Sequence, residues 1–293
     1  MAGVSFRSLG LLTKRSGAAA YYQVQEVLKG IPHCADITRT YCNRFSGVLL
    51  VDGKYVAVKG YDRKIPVLYG IDYDTHDIPT YILSKAENYQ TCFSFFQSLR
   101  LLNYPLQAVV CDDNNNIYDA ARAVYPNVVI QLCQNHYLEG IRGNLSIRTD
   151  PTYGVFMREL EHLFHQKRSP TEFLHVAGRL WKKYGADPRT ASILLDIQKR
   201  MDILCGYMKL QHVPQTTNLI ESYNSHLQTR LKSIKGFDSF THADDWLNAY
   251  FLNRRLKKFT DCEGKFRYLN GHASLQKTMK NPSKFDDLLK LFR

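Results

Sequence analysis

Short β-branched runs alternate, through the first half of the chain, with segments whose apolar residues recur at helical spacing. Residues 47–52 read GVLLVD, an apolar run that ends in a carboxylate. YVAVKGY and IPVLYGIDYDT are strand-like in the same way, with Gly53-Lys54 and residues 60–64 supplying turn chemistry between them. Residues 80–83 extend or follow this meander. The spacing of Phe93, Phe96, Leu99 and Leu102 predicts a helix over 89–102. Residues 108–111 then predict a buried strand that stops at Asp112-Asp113-Asn114, and residues 117–124 a helix closed by Pro126. A second buried strand, 128–130, leads into Gln131, Cys133 and His136. The unit is strand, helix, strand, and open α/β sheets hold ligands at such strand ends.

The second half reads as helix. Ser169-Pro170-Thr171-Glu172 is a capping box with proline at the first helical position, and Asp187-Pro188 repeats the device before a helix to about residue 210. Residues 216–236 form an amphipathic helix whose apolar stripe is Ile220, Tyr223, Leu227, Leu231 and Ile234, with Glu221 near its start. A last helix is predicted over 246–259. At the other end, residues 5–12 and 18–28 predict two short helices around Lys14-Arg15-Ser16-Gly17. That is the size of a helix-turn-helix, and equally of a plain helical hairpin. The expected division is a helical segment at 1–45, the first part of an α/β core at 46–145, a helical insertion at 146–212, and a closing helical region at 213–293.

Composition narrows the partner. A net charge of +12 and a pI near 9.3 point to a polyanion, most simply nucleic acid. Seven cysteines without a CxxC pair predict reduced thiols in an intracellular, DNA-associated protein, in cytoplasm, nucleoid or nucleus. No apolar stretch is long enough to span a bilayer, so no membrane partner is expected. Candidate phosphate contacts are Lys14 and Arg15 in the first turn, Arg230, Lys232 and Lys235 on the 216–236 helix, and Arg254 and Arg255 in a dense cluster with Lys257 and Lys258. The bland alternative for the helix-end cations is simple complementarity to the helix dipole.

The acidic residues carry the candidate chemistry. Asp52 ends a strand, although an aspartate capping a hairpin is common. Asp112 and Asp113 are adjacent carboxylates, which repel unless a cation or solvent relieves them. Glu221 lies three residues after Asn218, so a helix-capping role competes with a catalytic one. Three carboxylates from separate segments would suit a pair of Mg²⁺ ions and a scissile phosphate. Cys133-x-x-His136 is half of a tetrahedral zinc site and lacks a partner pair. A buried, hydrogen-bonded cysteine and histidine beside the site is the better reading.

These pieces together resemble the mutator-type transposases, the group that contains bacterial insertion-sequence enzymes and plant Mutator-like elements. The matching stretches are LLVDGKYVAVK, VVCDDNNNIYDAARAVYPNVVIQLCQNH and TTNLIESYNSHLQTRLKSIKGF, within residues 45–260. The ordered set is what is specific: Tyr125-Pro126, Gln131, Cys133 and His136, then Thr216-Thr217-Asn218, Ile220-Glu221 and Asn224. The resemblance implies an α/β, ribonuclease H-like mixed sheet flanked by helices, with an all-helical insertion before the last catalytic helix. It also implies a DDE triad at Asp52, Asp112 and Glu221. Those residues would bind two Mg²⁺ or Mn²⁺ ions, with Cys133, His136 and Asn218 supporting the site. The implied activity is cleavage and strand transfer of a mobile element, on double-stranded element ends and target, by a homo-oligomer assembled on DNA. The alternatives are a metal-dependent nuclease of the same fold and a truncated or domesticated DNA-binding derivative. In bacterial relatives the residue after the second aspartate is often glycine. Here it is Asp113, a neighbouring rival for Asp112.

Overall fold

The computed structural model describes residues 5–210, 212–234, 236–290 and 292. In chain order the elements are α1 (Phe6–Leu12), α2 (Gly17–Lys29), α3 (Cys34–Tyr41), β1 (Val48–Val56), β2 (Ile65–Asp72), β3 (Tyr81–Leu83), α4 (Tyr89–Leu101) and β4 (Ala108–Cys111). Then follow α5 (Asn115–Val124), β5 (Val129–Leu132), α6 (Gln134–Asn144), α7 (Gly154–Phe164), α8 (Pro170–Tyr184), α9 (Pro188–Lys199) and α10 (Met201–Leu204). The chain closes with α11 (Asn218–Ile234), α12 (Phe240–Leu256), α13 (Ser274–Thr278) and α14 (Phe285–Lys290). Three antiparallel strands followed by a parallel strand–helix–strand pair make the mixed α/β, ribonuclease H-like class. Its five-stranded mixed sheet is flanked by helices, with only helix and loop among the described residues between α6 and α11. The chain divides into two compact units, one from the chain up to Pro105 together with Ile220 onward, the other Leu106–Leu219.

In the first unit β1 pairs antiparallel with β2 from Leu49↔Asp72 to Val56↔Ile65, and β2 pairs with β3 from Val67↔Leu83 to Tyr69↔Tyr81. Every residue of the central strand β2 is buried. This corrects the expected meander. Gly53-Lys54 is no hairpin turn: β1 runs straight through Asp52 to Val56, and the reversal comes between Val56 and Ile65. Aspartate and glycine disfavour strands on average, but here full ladder pairing and partners for the carboxylate override the local preference. Three strands precede α4 as expected, although the boundaries fall elsewhere.

Helix α12 is the hub of this unit. It begins at Phe240, capped by Ser239 Oγ accepting from the His242 amide, six residues before the expected start. Leu247, Ala249, Tyr250, Phe251 and Leu252 are all buried, and the Phe251 ring lies 5.0 Å from both Tyr69 and Tyr81. Asn248, also buried, accepts from the Cys34 amide at 2.8 Å and so ties α3 to α12. In the α1–α2 pair the helices approach closely at Gly10, where an added Cβ would lie 2.7 Å from the Arg15 carbonyl oxygen.

In the second unit β4 and β5 run parallel, Ala108↔Val129 to Cys111↔Leu132, joined through α5. Gln131 is fully buried. Its Nε2 donates to the Leu204 carbonyl at 2.9 Å and its Oε1 accepts from the Tyr207 amide at 3.0 Å, which fastens the segment after α10 onto β5. Gly206 permits that contact, since a Cβ there would meet the Ile130 carbonyl oxygen at 2.2 Å. The capping box at Ser169 forms in full, with proline at the start of α8, a device stabilising by about 1 kcal/mol. Asp187 likewise caps α9, but that helix stops at Lys199 rather than near residue 210. A short α10 and a 3₁₀ turn at Gly206–Met208 follow.

Candidate active site

Asp52 sits in the middle of β1, opposite Tyr69 on β2, where the strand passes from buried to half-exposed. Its Oδ1 accepts from the Gly53 amide at 2.7 Å, and its Oδ2 accepts a short hydrogen bond from Asn224 Nδ2. Asn224 lies on the buried side of α11, and its Oδ1 accepts from the Tyr69 hydroxyl at 2.8 Å. Burial, and then the Asp52 charge, hold Tyr69 well above the ordinary phenol pKa, so it stays a donor. An ionised carboxylate only accepts. The amide nitrogen of Asn224 must therefore face Asp52 and its oxygen must face Tyr69. Tyr69 → Asn224 → Asp52 is a one-way chain of hydrogen bonds. Glu221 lies three residues before Asn224, exposed in the first turn of α11. A carboxylate there is favoured by the helix dipole.

In the second unit Asp112 follows the last residue of β4. Its Oδ1 is 2.7 Å from His136 Nδ1 and accepts from Thr217 Oγ1 at 3.3 Å. The Thr217 amide donates to Cys133 Sγ at 3.4 Å. The ligand atoms of Asp112, Cys133 and His136 all lie within 4.8 Å of one another. Cys133 immediately precedes α6 and is buried, as expected. His136, in the first turn of α6, is exposed rather than buried. Asp113 turns elsewhere and pairs with Arg200, whose guanidinium stands 5.6 Å from the Tyr137 ring centre. Asn218, expected to support the site, is the exposed first residue of α11 and accepts from Asn135 Nδ2 at 3.0 Å.

The donor set bears on the expected ions. Carboxylate oxygens, as on Asp52, Asp112 and Glu221, fit a hard cation such as Mg²⁺. Cys133 Sγ does not, and its hydrogen bond from Thr217 gives the thiol a packing role beside Asp112. Sequence reasoning missed three contributors. Thr217 and Asn224 were visible only as motif letters, and Tyr69 had no signal at all beyond facing Asp52 in register.

Among the expected phosphate contacts, Lys14 and Arg15 are exposed between α1 and α2, and Arg230 and Lys232 are exposed on α11. Lys235 lies outside the described residues. Arg254 is half-buried, its guanidinium 4.5 Å from the Tyr223 ring centre. Arg255 requires a correction. It is completely buried, bidentate on Asp77 at 2.9 and 2.8 Å, and donates to Thr38 Oγ1 at 2.9 Å and the Cys34 carbonyl at 3.1 Å. On α12, consecutive residues point about 100° apart, so one arginine of the pair enters the core while its neighbour does not.

The five-stranded mixed sheet flanked by helices is of the ribonuclease H-like class. The chain belongs to the Mutator family of transposases: that family, described as "Transposase, Mutator family", matches residues 35–253. It is accordingly an enzyme class that acts on DNA. No curated protein matches the chain. Among solved structures, the HTLV-2 integrase catalytic core domain, in complex with magnesium and in dimeric form, is similar over 48% of this chain and 86% of that one. Its identity is 16% and its TM-score 0.25, a remote likeness that carries no argument about chemistry. Among the described residues, no helix is long and apolar enough to cross a membrane.

Proposed function

We propose that this transposase cuts the ends of a mobile DNA element and joins them to a target, with Asp52, Asp112 and Glu221 as its three essential carboxylates. The observation that carries the reading is the family match over residues 35–253, a span that contains all three carboxylates. Support comes from the structure around two of them. Asp52 is oriented through Asn224 and Tyr69, and Asp112 through His136 and Thr217. Such preorganisation is what phosphoryl transfer requires, because it is catalysed by positioning and electrostatics. Asp52, Asp112 and Glu221 would hold two Mg²⁺ or Mn²⁺ ions, which when bound supply a stronger nucleophile and neutralise the leaving oxygen. Water attacks phosphorus first, and the liberated 3′-hydroxyl attacks the target strand. The basic chain, assembled as a homo-oligomer, holds the duplexes.

The test is strand cleavage and joining by the purified chain in Mg²⁺, on duplexes carrying the inverted repeats that flank its gene. Asp52→Ala, Asp112→Ala and Glu221→Gln should each abolish both steps while DNA binding persists. Full cleavage by any one of them removes that residue from the triad. Cleavage without joining by the unmodified chain would leave a nuclease of the same fold.

A further inference from the structure

Helices α11 and α12 enclose a cleft of about 280 Å³ lined by His226, Thr229, Arg230, Asn253, Arg254 and Lys257, with Tyr250 at its wall. Three full positive charges converge there, and none of the lining residues is acidic. Two other cavities also hold basic groups, but each supplies its own counter-charge. The one at the β1–β2 reversal sets Asp62 and Asp238 beside Lys59, Arg63 and Lys64, and the one along α6 and α7 pairs Arg142 with Glu161 at 2.8 Å. Like charges drawn together without a carboxylate cost stability unless an anion relieves them.

Helix dipoles explain only part of this. Arg254 and Lys257 stand at the C-terminal end of α12, where cations are favoured, but Arg230 belongs to another helix, four residues before its last described turn ends. Arg254 is also held in place: it stacks 4.5 Å from the Tyr223 ring centre, and its Nε is buried with no hydrogen-bond acceptor. The field is felt nearby as well. His226 is pushed below the ordinary imidazole value, first by burial and then by Arg254, with Lys257 and Arg230 adding and Asp261 opposing.

We infer that this cleft is a phosphate seat for the DNA backbone, with Arg254 as the half-buried fork and Arg230 and Lys257 as its exposed arms. The inference rests on the transposase reading above and adds to it the place where one strand is gripped. Backbone phosphate is read by charge and hydrogen-bond geometry without regard to sequence, so the seat contributes affinity equally to element ends and random duplex.

The experiment is a salt titration of duplex binding by the full chain, comparing Arg230→Gln/Arg254→Gln/Lys257→Gln with Lys59→Gln/Arg63→Gln/Lys64→Gln. The expected result is a cleft variant that binds both duplexes more weakly, its log–log salt slope shallower by about 2 to 3, since each lost phosphate contact removes about one unit. The reversal-loop variant should change less, and Arg254→Lys should recover only part of the loss. If Arg254→Gln disturbs folding, Arg230→Gln/Lys257→Gln carries the test alone, because both side chains are exposed. Unchanged affinity and slope in the cleft variants overturn the seat. So does equal loss in the two triple variants, which would mean diffuse charge. An unmodified chain that binds no duplex sinks the transposase reading itself, and the seat with it.

Discussion

Asn224 donates its side-chain amide to Asp52, and the buried Tyr69 hydroxyl settles which end of that amide faces the carboxylate. The arrangement predicts a residue that positions rather than reacts. Asn224→Ala should slow strand cleavage at least tenfold, about 1.4 kcal/mol, while duplex affinity stays unchanged. Asn224→Asp should be worse, because it sets two carboxylates against each other. Tyr69→Phe leaves a buried carbonyl oxygen without its donor and should cost about 1–3 kcal/mol of stability. Single-turnover cleavage beside a binding isotherm separates these effects. Weaker DNA binding with an unchanged cleavage rate would overturn the assignment.

Asp112 and Asp113 are neighbours in the chain with different partners, His136 for the first and Arg200 for the second. Asp112→Asn should therefore abolish Mg²⁺-dependent cleavage, whereas Asp113→Asn should keep most of it. The pair of Asp113 with Arg200 is part-exposed, so its loss should cost no more than about 1 kcal/mol. The reverse pattern of activities would show that the catalytic carboxylate had been placed one residue too early.

Arg255 and Asp77 form an ion pair with neither side chain exposed. Asp77 also accepts from Ser274 Oγ at 3.0 Å and Thr278 Oγ1 at 2.6 Å, so α12, α13 and the loop after β2 meet at one carboxylate. Removing one partner strands the other charge in the core. Arg255→Ala should destabilise the protein by about 3–5 kcal/mol in urea unfolding. Folded Arg255→Ala at low temperature should keep the salt slope of DNA binding, because this guanidinium never reaches a phosphate. A shallower slope in that variant would restore Arg255 to the DNA contacts.

His76 supplies a pH dependence. Burial, then Arg254 and Lys265, press its pKa from the ordinary 6.5 down to about 4. The unfolded chain therefore binds the extra proton between those values and the folded chain does not. Stability from this group is fully present above pH 6.5 and is lost as pH falls toward 4, by up to about 3 kcal/mol. His76 has φ +55°, a conformation that asparagine tolerates. His76→Asn should flatten the fall in urea-unfolding stability between pH 6.5 and 4. An equally steep fall in the variant would assign the loss to the carboxylates instead.

The sequence by itself determined the helix–strand–helix–strand order from α4 to β5, the capped starts of α8 and α9, the fully apolar β4 and the family. These rest on local physics: periodicity, turn chemistry and motif order need no knowledge of what lies across the chain. Tertiary structure decided what the carboxylates touch. Asp52 and Gly53 look like a turn, and become mid-strand only because β2 pairs with them and Asn224, far along the chain, reaches the carboxylate. Asp112 and Asp113 are indistinguishable as letters, and their division depends on His136 and Arg200 arriving from later in the chain. Arg254 and Arg255 likewise read as one basic cluster. Helical rotation places one over Tyr223 and buries the other on Asp77, a distinction that follows from where α12 packs and not from its charge.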